Sequence, residues 1–367
     1  MLSRYDSMLL LQDNLLERLK VESIKSIVDS VDKYGSINLS FSGGKDSHAV
    51  LGLVIEAINK GLISKTDITV LHSDTTIEYP TMVDLTFKTL DYVKSLGIPV
   101  VVARAVPEER FFAKMIGYGF PVPSVHARWC TKVLKIEPMN RTNKYMHLTG
   151  EHRGESNNRD AKLSTCGSTE CGIDKLAKDS VIRPIISWRN CDVWDYLFTA
   201  DAIFYTGFFN TISSVYSISE NEKGSLRMGC IGCPVISVAK HYKTDDKGCP
   251  SALSIALRLL LEEMRSDKLR LMNPRPPKNG TRTHGALAVM SRKYYWQHIK
   301  VLNDKFAQHG ITLISTEECK YIEHSLSIGR YPKTYKVEDI ERLERDWWND
   351  RCPEYIKEFA ALVANKR

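Results

Sequence analysis

Apolar positions along the first half of the chain switch between two periods. Leu9, Leu10, Leu15, Leu16, Leu19, Val21, Ile24, Ile27 and Val28 fall at helical spacing, which predicts a helix over 7–33 that Gly35 stops. Ile37 to Phe41 follows with period two, as a short strand. Val50, Leu51, Val54, Ile55 and Ile58 then restore the helical period over 47–60. The alternation continues with a strand at 68–72, a helix over 79–96, a strand at 99–103, a Gly- and Pro-rich loop at 117–124, a helix over 129–145 and a strand at 146–149. Strands and helices taking turns predict an α/β fold, doubly wound around a mostly parallel sheet.

Beyond about residue 200 the pattern changes. An aromatic stretch (Phe204 to Phe209) precedes a segment rich in Cys, Gly and Pro (229–250), and a long helical pattern covers 251–271. The run Asn273 to Gly280 is polar and Pro-rich and reads as a loop, and helical, basic sequence follows it. The expected organisation is an N-terminal helix (1–35), an α/β domain (36–235) and a mostly helical C-terminal region (236–367), with no internal repeats.

Composition narrows the class without choosing a function. With 43% hydrophobic and 26% charged residues, the 367-residue chain is not disordered as a whole. A net charge of +7 permits a polyanionic partner without requiring one. Nine cysteines are too few for a disulfide scaffold. The apolar run Met8 to Leu11 is interrupted by Gln12, Asp13 and Asn14, and no stretch approaches ~18 apolar residues. The expectation is a cytoplasmic protein without a membrane partner, whose cysteines serve as thiols, metal ligands or redox groups.

The string Ser42-Gly43-Gly44-Lys45-Asp46-Ser47 joins a strand to a helix, where α/β sheets bind anions. Glycines allow close backbone approach, free N–H groups and the helix dipole favour negative charge, and Lys45 and the serine hydroxyls add donors. Its spacing is neither that of the P-loop NTPases nor that of the dinucleotide fingerprint. Asp46 could hold Mg²⁺ or order the loop. At the end of the next strand, Asp74 and Thr75 in His72-Ser-Asp-Thr-Thr-Ile-Glu78 could bond nucleotide or help place the metal. In Thr149-Gly-Glu-His-Arg-Gly-Glu-Ser-Asn-Asn-Arg159, Arg153 and Arg159 are candidate phosphate clamps and Glu155 could orient them. The segment Arg183 to Leu197 reads as structural packing.

The six-residue loop resembles the PP-loop of the ATP pyrophosphatase superfamily, and with the other motifs it resembles the phosphoadenosine phosphosulfate (PAPS) reductase branch over roughly residues 36–235. That resemblance implies an adenine nucleotide alpha hydrolase-like fold and cleavage of ATP between the α and β phosphates. Lys45, Asp46 and Arg153 would act on the reacting phosphates. Ser42, Gly43, Gly44, Ser47, Asp74 and Arg159 would join them in holding ATP and Mg²⁺.

The segment Arg128 to Pro138, around Cys130, resembles the first cluster segment of iron–sulfur sulfonucleotide reductases, with Trp129 standing where a second adjacent cysteine is usual. Cys230-Ile-Gly-Cys233 supplies a C-x-x-C pair, and Cys249 follows sixteen residues later. Cys130, Cys230, Cys233 and Cys249 are thus the candidate ligands of a [4Fe–4S] cluster. Zinc and a redox dithiol are the alternatives. Cys166 and Cys171 could exchange a disulfide or offer other ligands, and Cys191, Cys319 and Cys352 read as structural.

The chain also looks like the ATP pyrophosphatase component of DNA phosphorothioation systems, the DndC/SspD type. The resemblance implies adenylylation of a DNA backbone phosphate, sulfur from a cysteine desulfurase, and further phosphorothioation proteins as partners. The basic run Lys268, Arg270, Arg275, Lys278, Arg282, Arg292 and Lys293 fits a phosphate backbone, and a solvated face fits it nearly as well. Sulfonucleotide reduction is the alternative, but the Glu-Cys-Gly-Leu-His-type tail of those reductases has no counterpart. Transfer RNA thiolation is another, and a sulfate-adenylylating subunit would need no cluster.

Overall fold

A computed structural model of the chain describes residues 4–142, 146–153, 181–200, 203–216, 229–235, 249–275 and 283–365. Contacts divide the chain into two compact units. The first comprises Met1–Ser73, Thr81–Ala103 and Met139–Met228, and the second Asp74–Pro80, Arg104–Pro138 and Gly229–Arg367.

The first unit opens with helix α1 (Arg4–Tyr34). Strand β1 (Ile37–Phe41) follows and leads into helix α2 (Lys45–Asn59). Strand β2 (Ile68–Asp74), helix α3 (Pro80–Ser95) and strand β3 (Val100–Arg104) come next. Two short strands, β4 (His147–Leu148) and β5 (Val181–Ile182), complete a five-stranded sheet in the order β3-β2-β1-β4-β5. β1 runs parallel to both β2 and β4, with Phe41 opposite His72 and Leu39 opposite Leu148. The chain leaves β1 toward one side and later returns on the other, so a topological switch point lies between β1 and β4. Ligands of open α/β sheets bind outside the strand ends at such a point. The sheet and the inner face of α2 are sealed by Ile37, Leu39, Val50, Leu51 and Val54, all without solvent contact. Across α2 lie α1 and a helix over Asn190–Thr199. Their contact is tied by Tyr196 Oη donating to Glu56 at 2.9 Å, and Trp188 Nε1 donates to Ser23 Oγ at 3.0 Å. A short helix over Phe208–Val215 ends at Tyr216.

Among its described residues the second unit is mostly helical and includes a hairpin of Arg270–Met272 and His284–Leu287. Its long helices span Cys249–Glu263, Val289–Gln308, Thr316–Ser327, Val337–Asp350 and Glu354–Ala364. Two expectations need correction. The helix expected over 129–145 is a π-helical turn, Thr131–Ile136, followed by one turn at Glu137–Asn140. Pro138 has no N–H to continue the earlier ladder. The helix expected over 251–271 stops at Glu263, because Ser266 caps a new turn that ends at Leu269 and the chain continues as the strand Arg270–Met272, with Leu271 buried. A second π-helical turn, Ala113–Gly117, is held at both ends by buried charges. Glu318 accepts from the Ala113 N–H at 3.3 Å, and Arg292 donates to the carbonyls of Ile116 and Gly117 at 3.1 and 2.7 Å. Among the described residues, no helix is long and apolar enough to cross a membrane.

Candidate functional site

The glycine loop leaves the carboxyl end of β1 and becomes the N-terminus of α2. Gly43 adopts φ +76°, and a Cβ there would stand 2.0 Å from Thr86 Oγ1. That position therefore excludes side chains on two counts. Ser42 Oγ donates to Ser47 Oγ at 3.1 Å, and Ser47 Oγ lies 2.8 Å from the Gly44 carbonyl. The loop is closed on itself before any ligand arrives.

Asp46 is the electrostatic centre of this region. Its Oδ1 pairs with Lys45 Nζ and lies 3.2 Å from Nε2 of His152, which is only 1% exposed. Burial pushes the Asp46 carboxyl up, but the His152 hydrogen bond and the Lys45 ammonium outweigh it and hold the group below the usual carboxylate range. The other ring nitrogen of His152 faces the Arg153 carbonyl at 2.8 Å. Gly150, next after Thr149 at the end of β4, is pressed on the same loop. A Cβ at Gly150 would come within 2.6 Å of the Asp46 carbonyl carbon and 2.9 Å of the Ser47 nitrogen. Arg153 is exposed and is anchored by its N–H donating to the Ile186 carbonyl at 3.1 Å. Arg159 lies outside the described residues, as do Glu155, Cys166 and Cys171.

In the second unit, Asp74 accepts from Arg104 Nε at 2.9 Å and from the Thr76 N–H at 2.8 Å. Thr76 adopts φ 60°, unusual for a β-branched residue. The segment then meets the C-x-x-C turn. Glu78 bridges Cys230 in antiparallel fashion, the Ile231 N–H donates to the Ile77 carbonyl at 2.8 Å, and Thr75 Oγ1 lies 3.6 Å from Cys230 Sγ. Two arginines grip the turn from the other direction. Arg258, 2% exposed, donates to the carbonyls of Ile231 (2.9 Å) and Cys233, and Arg265 donates to Gly232 at 3.1 Å.

Cys130, Cys230 and Cys233 share one electrostatic neighbourhood with Lys135. Cys230 above all, with Glu78 and the other two thiols, holds the Lys135 ammonium up against its burial. Burial pushes the Cys230 thiol up to about 11 and raises Cys130 as well. Thiols suit soft metals by their chemistry. Yet among the described residues no three His, Cys, Asp or Glu side chains are placed to hold a metal ion, and the Cys249 side chain lies outside what is described. Among the described residues the ligand set is therefore incomplete. Trp129, in the place of an adjacent cysteine, stacks on Phe111 at 5.7 Å and donates Nε1–H to the Pro121 carbonyl at 2.8 Å.

The basic run divides. Arg292 is fully buried, and Arg270 is spent on the hairpin carbonyls of His284 and Gly285. Lys268 and Arg275 remain exposed, and Lys278 and Arg282 lie outside the described residues. Sequence reasoning singled out Lys45 and Asp46 but not His152 or Gly150, which touch them. His152 falls within the polar string 149–159, whereas nothing local marks the close approach at Gly150.

Comparison with known proteins gives three findings. A family model described as the phosphoadenosine phosphosulfate reductase domain matches residues 36–234. Two uncharacterized proteins of Methanocaldococcus jannaschii are 29% identical over 234 residues and 30% identical over 239 residues. The alignments cover 62% and 63% of this chain and 42% and 49% of those proteins, so the chain spans about half the length of the curated relatives it matches. A solved phosphoadenylyl-sulfate reductase from Candida auris, in complex with phosphate, is 14% identical with a TM-score of 0.37. It covers 57% of this chain and 92% of that one.

Proposed function

The chain belongs to the phosphoadenosine phosphosulfate reductase domain family, and on that premise we propose that it is an ATP pyrophosphatase that adenylylates a DNA backbone phosphate for sulfur insertion. One observation carries the reading: a closed glycine loop at the switch point of the sheet, with Lys45 and Asp46 paired at its helix N-terminus. A non-bridging oxygen of the DNA phosphate would attack the α-phosphorus of ATP, and the bond to pyrophosphate would break. A sulfur nucleophile would then attack the DNA phosphorus and displace AMP, leaving a P–S bond.

In the first step negative charge grows on the leaving pyrophosphate. Loop N–H groups and the Lys45 ammonium stabilise that charge without reorganising. Arg153, exposed beside His152, is free to clamp a phosphate. Mg²⁺, when bound, would neutralise phosphate oxygens. His152 holds the Asp46 carboxylate in one orientation. Cys130, Cys230, Cys233 and Cys249 are the set we propose for a [4Fe–4S] cluster, with zinc as the alternative. Such a group would supply electron or sulfur transfer, or, as zinc, structure. DNA, a cysteine desulfurase and other phosphorothioation proteins are the proposed partners, in the cytoplasm.

Asp46→Ala is expected to abolish pyrophosphate release from ATP while leaving the fold intact by circular dichroism. Surviving turnover would overturn the site. Cys230→Ser is expected to lose iron after anaerobic purification while still binding ATP, and retained iron would remove Cys230 from the ligand set. A reductase reading draws on the same family, since its substrate is also an adenine nucleotide. Incubation with phosphoadenosine phosphosulfate and a dithiol reductant separates the two: sulfite release without pyrophosphate release from ATP selects the reductase. Sulfur-linked dinucleotides in digested host DNA, lost when the gene is deleted, support phosphorothioation.

A further inference from the structure

A peptide bond has a donor end and an acceptor end. In a loop that cradles an anion, its direction decides which end meets the ligand. The peptide joining Gly44 to Lys45 is held at both ends. Its carbonyl accepts from the His48 backbone N–H at 3.0 Å, from Ser47 Oγ at 2.8 Å and from His48 Nδ1 at 3.0 Å. Its N–H donates to Tyr216 Oη at 2.9 Å. Because a carbonyl only accepts, His48 Nδ1 bears the ring proton, leaving Nε2 toward the Thr89 hydroxyl at 3.1 Å.

His48 has no solvent contact. Aromatic rings enclose it, with Phe41 at 4.8 Å, Phe208 at 5.2 Å and Phe204 at 6.1 Å. Burial lowers its pKa to about 4, so the imidazole stays neutral at ordinary pH. Tyr216 is also buried, and its ring meets Trp194 edge-on at 5.3 Å. Phe208 and Tyr216 flank the same short helix, so one segment both encloses His48 and supplies the acceptor for Lys45.

We propose that His48 and Tyr216 are positioning residues that lock the Gly44–Lys45 peptide, presenting the Lys45 and Asp46 side chains to a nucleotide phosphate while withholding the Lys45 amide from it. The proposal rests on the reading of the loop as a nucleotide site. A free peptide could flip and present its carbonyl, which repels phosphate. The lock removes that alternative before binding, so the ordering cost is not met on association.

The test uses the full chain with three variants. His48→Phe keeps the ring contacts and removes the Nδ1 donor. His48→Asn offers an amide donor near the same place, and Tyr216→Phe keeps the Trp194 contact and removes the hydroxyl. Amide hydrogen exchange of the Lys45 N–H is measured without ligand, and ATP and pyrophosphate affinities by calorimetry. Expected are an at least tenfold faster exchange in Tyr216→Phe, a several-fold to tenfold loss of affinity in His48→Phe and Tyr216→Phe, and recovery to within about threefold in His48→Asn. Unchanged exchange in Tyr216→Phe overturns the lock. Tighter binding in that variant does so too, because the phosphate would then be using the Lys45 amide. An asparagine variant as impaired as the phenylalanine one removes His48 from the proposal. If His48→Phe does not fold, Tyr216→Phe and His48→Asn carry the test. If the wild type binds neither nucleotide nor pyrophosphate, the site reading fails while the exchange result still decides the lock.

Discussion

Replacing Gly150 by alanine probes how closely β4 supports the loop. The added Cβ would lie 2.6 Å from the Asp46 carbonyl carbon, 2.7 Å from its oxygen and 2.9 Å from the Ser47 nitrogen. All three are backbone atoms, so no flexible side chain can swing away. Ordinary contact begins near 3.4 Å, and the loop or the strand end must therefore retreat by about 0.8 Å. Overpacking of this kind costs about 1–3 kcal/mol. A shift approaching 1 Å at reacting groups costs on the order of 10²-fold in rate. Gly150→Ala is thus expected to fold with a melting temperature lowered by several degrees and to release pyrophosphate roughly 10- to 100-fold more slowly. Calorimetric titration with ATP separates weaker binding from slower chemistry. A variant with wild-type affinity, rate and melting temperature would refute the argument that Gly150 sets the position of Asp46.

Glu318 gives the second unit a pH-dependent stability. Burial raises its carboxyl from 4.5 to about 7, with Arg110 and the amides of Ala113 and Phe112 pulling the other way. A carboxyl raised by folding stabilises the protein below its unfolded pKa and loses that contribution as pH rises through the folded one. Stability is expected to fall by up to roughly 3 kcal/mol between pH 4.5 and about 7, and Glu318→Gln should flatten that slope in urea titrations. An unchanged slope would show that another group is responsible. Arg258→Met removes one grip on the C-x-x-C turn, so Cys230 and Cys233 should alkylate at least tenfold faster by mass spectrometry. An unaltered rate would mean that the segment 75–78 holds the turn alone.

The pattern of apolar residues made the sheet legible because β1, β2 and α2 are buried in simple periods. Ile37, Leu39, Val50 and Val54 are visible as core from the sequence alone. The glycine loop was legible for a related reason: it needs two glycines, a lysine and two flanking serines in an uninterrupted string. What surrounds the loop was not legible. His152 and Tyr216 are 106 and 170 residues from Asp46, and no spacing rule reports a contact made by folding the chain back. The hairpin at 270–287 was also hidden, since Leu269 and Leu271 extend the apolar run of the preceding segment, whereas Leu269 ends a separate turn and Leu271 lies on a strand. Arg292 looked like part of a basic surface because charge in sequence carries no direction. It closes a π-helical turn from inside the core.

The chain passes between its two units five times, at 73/74, 80/81, 103/104, 138/139 and 228/229. Neither unit is therefore a contiguous piece of polypeptide. A protease cut after residue 228 would leave Asp74–Pro80 and Arg104–Pro138 attached to the first unit but stripped of the fold they belong to. Exposed apolar surface from those orphaned segments would make such a fragment prone to aggregate. A ribosome releases residues in order, so the second unit cannot condense until the segment that starts at Gly229 has been synthesised. The first cysteine of the C-x-x-C turn is thus made 100 residues after Cys130, which waits for it.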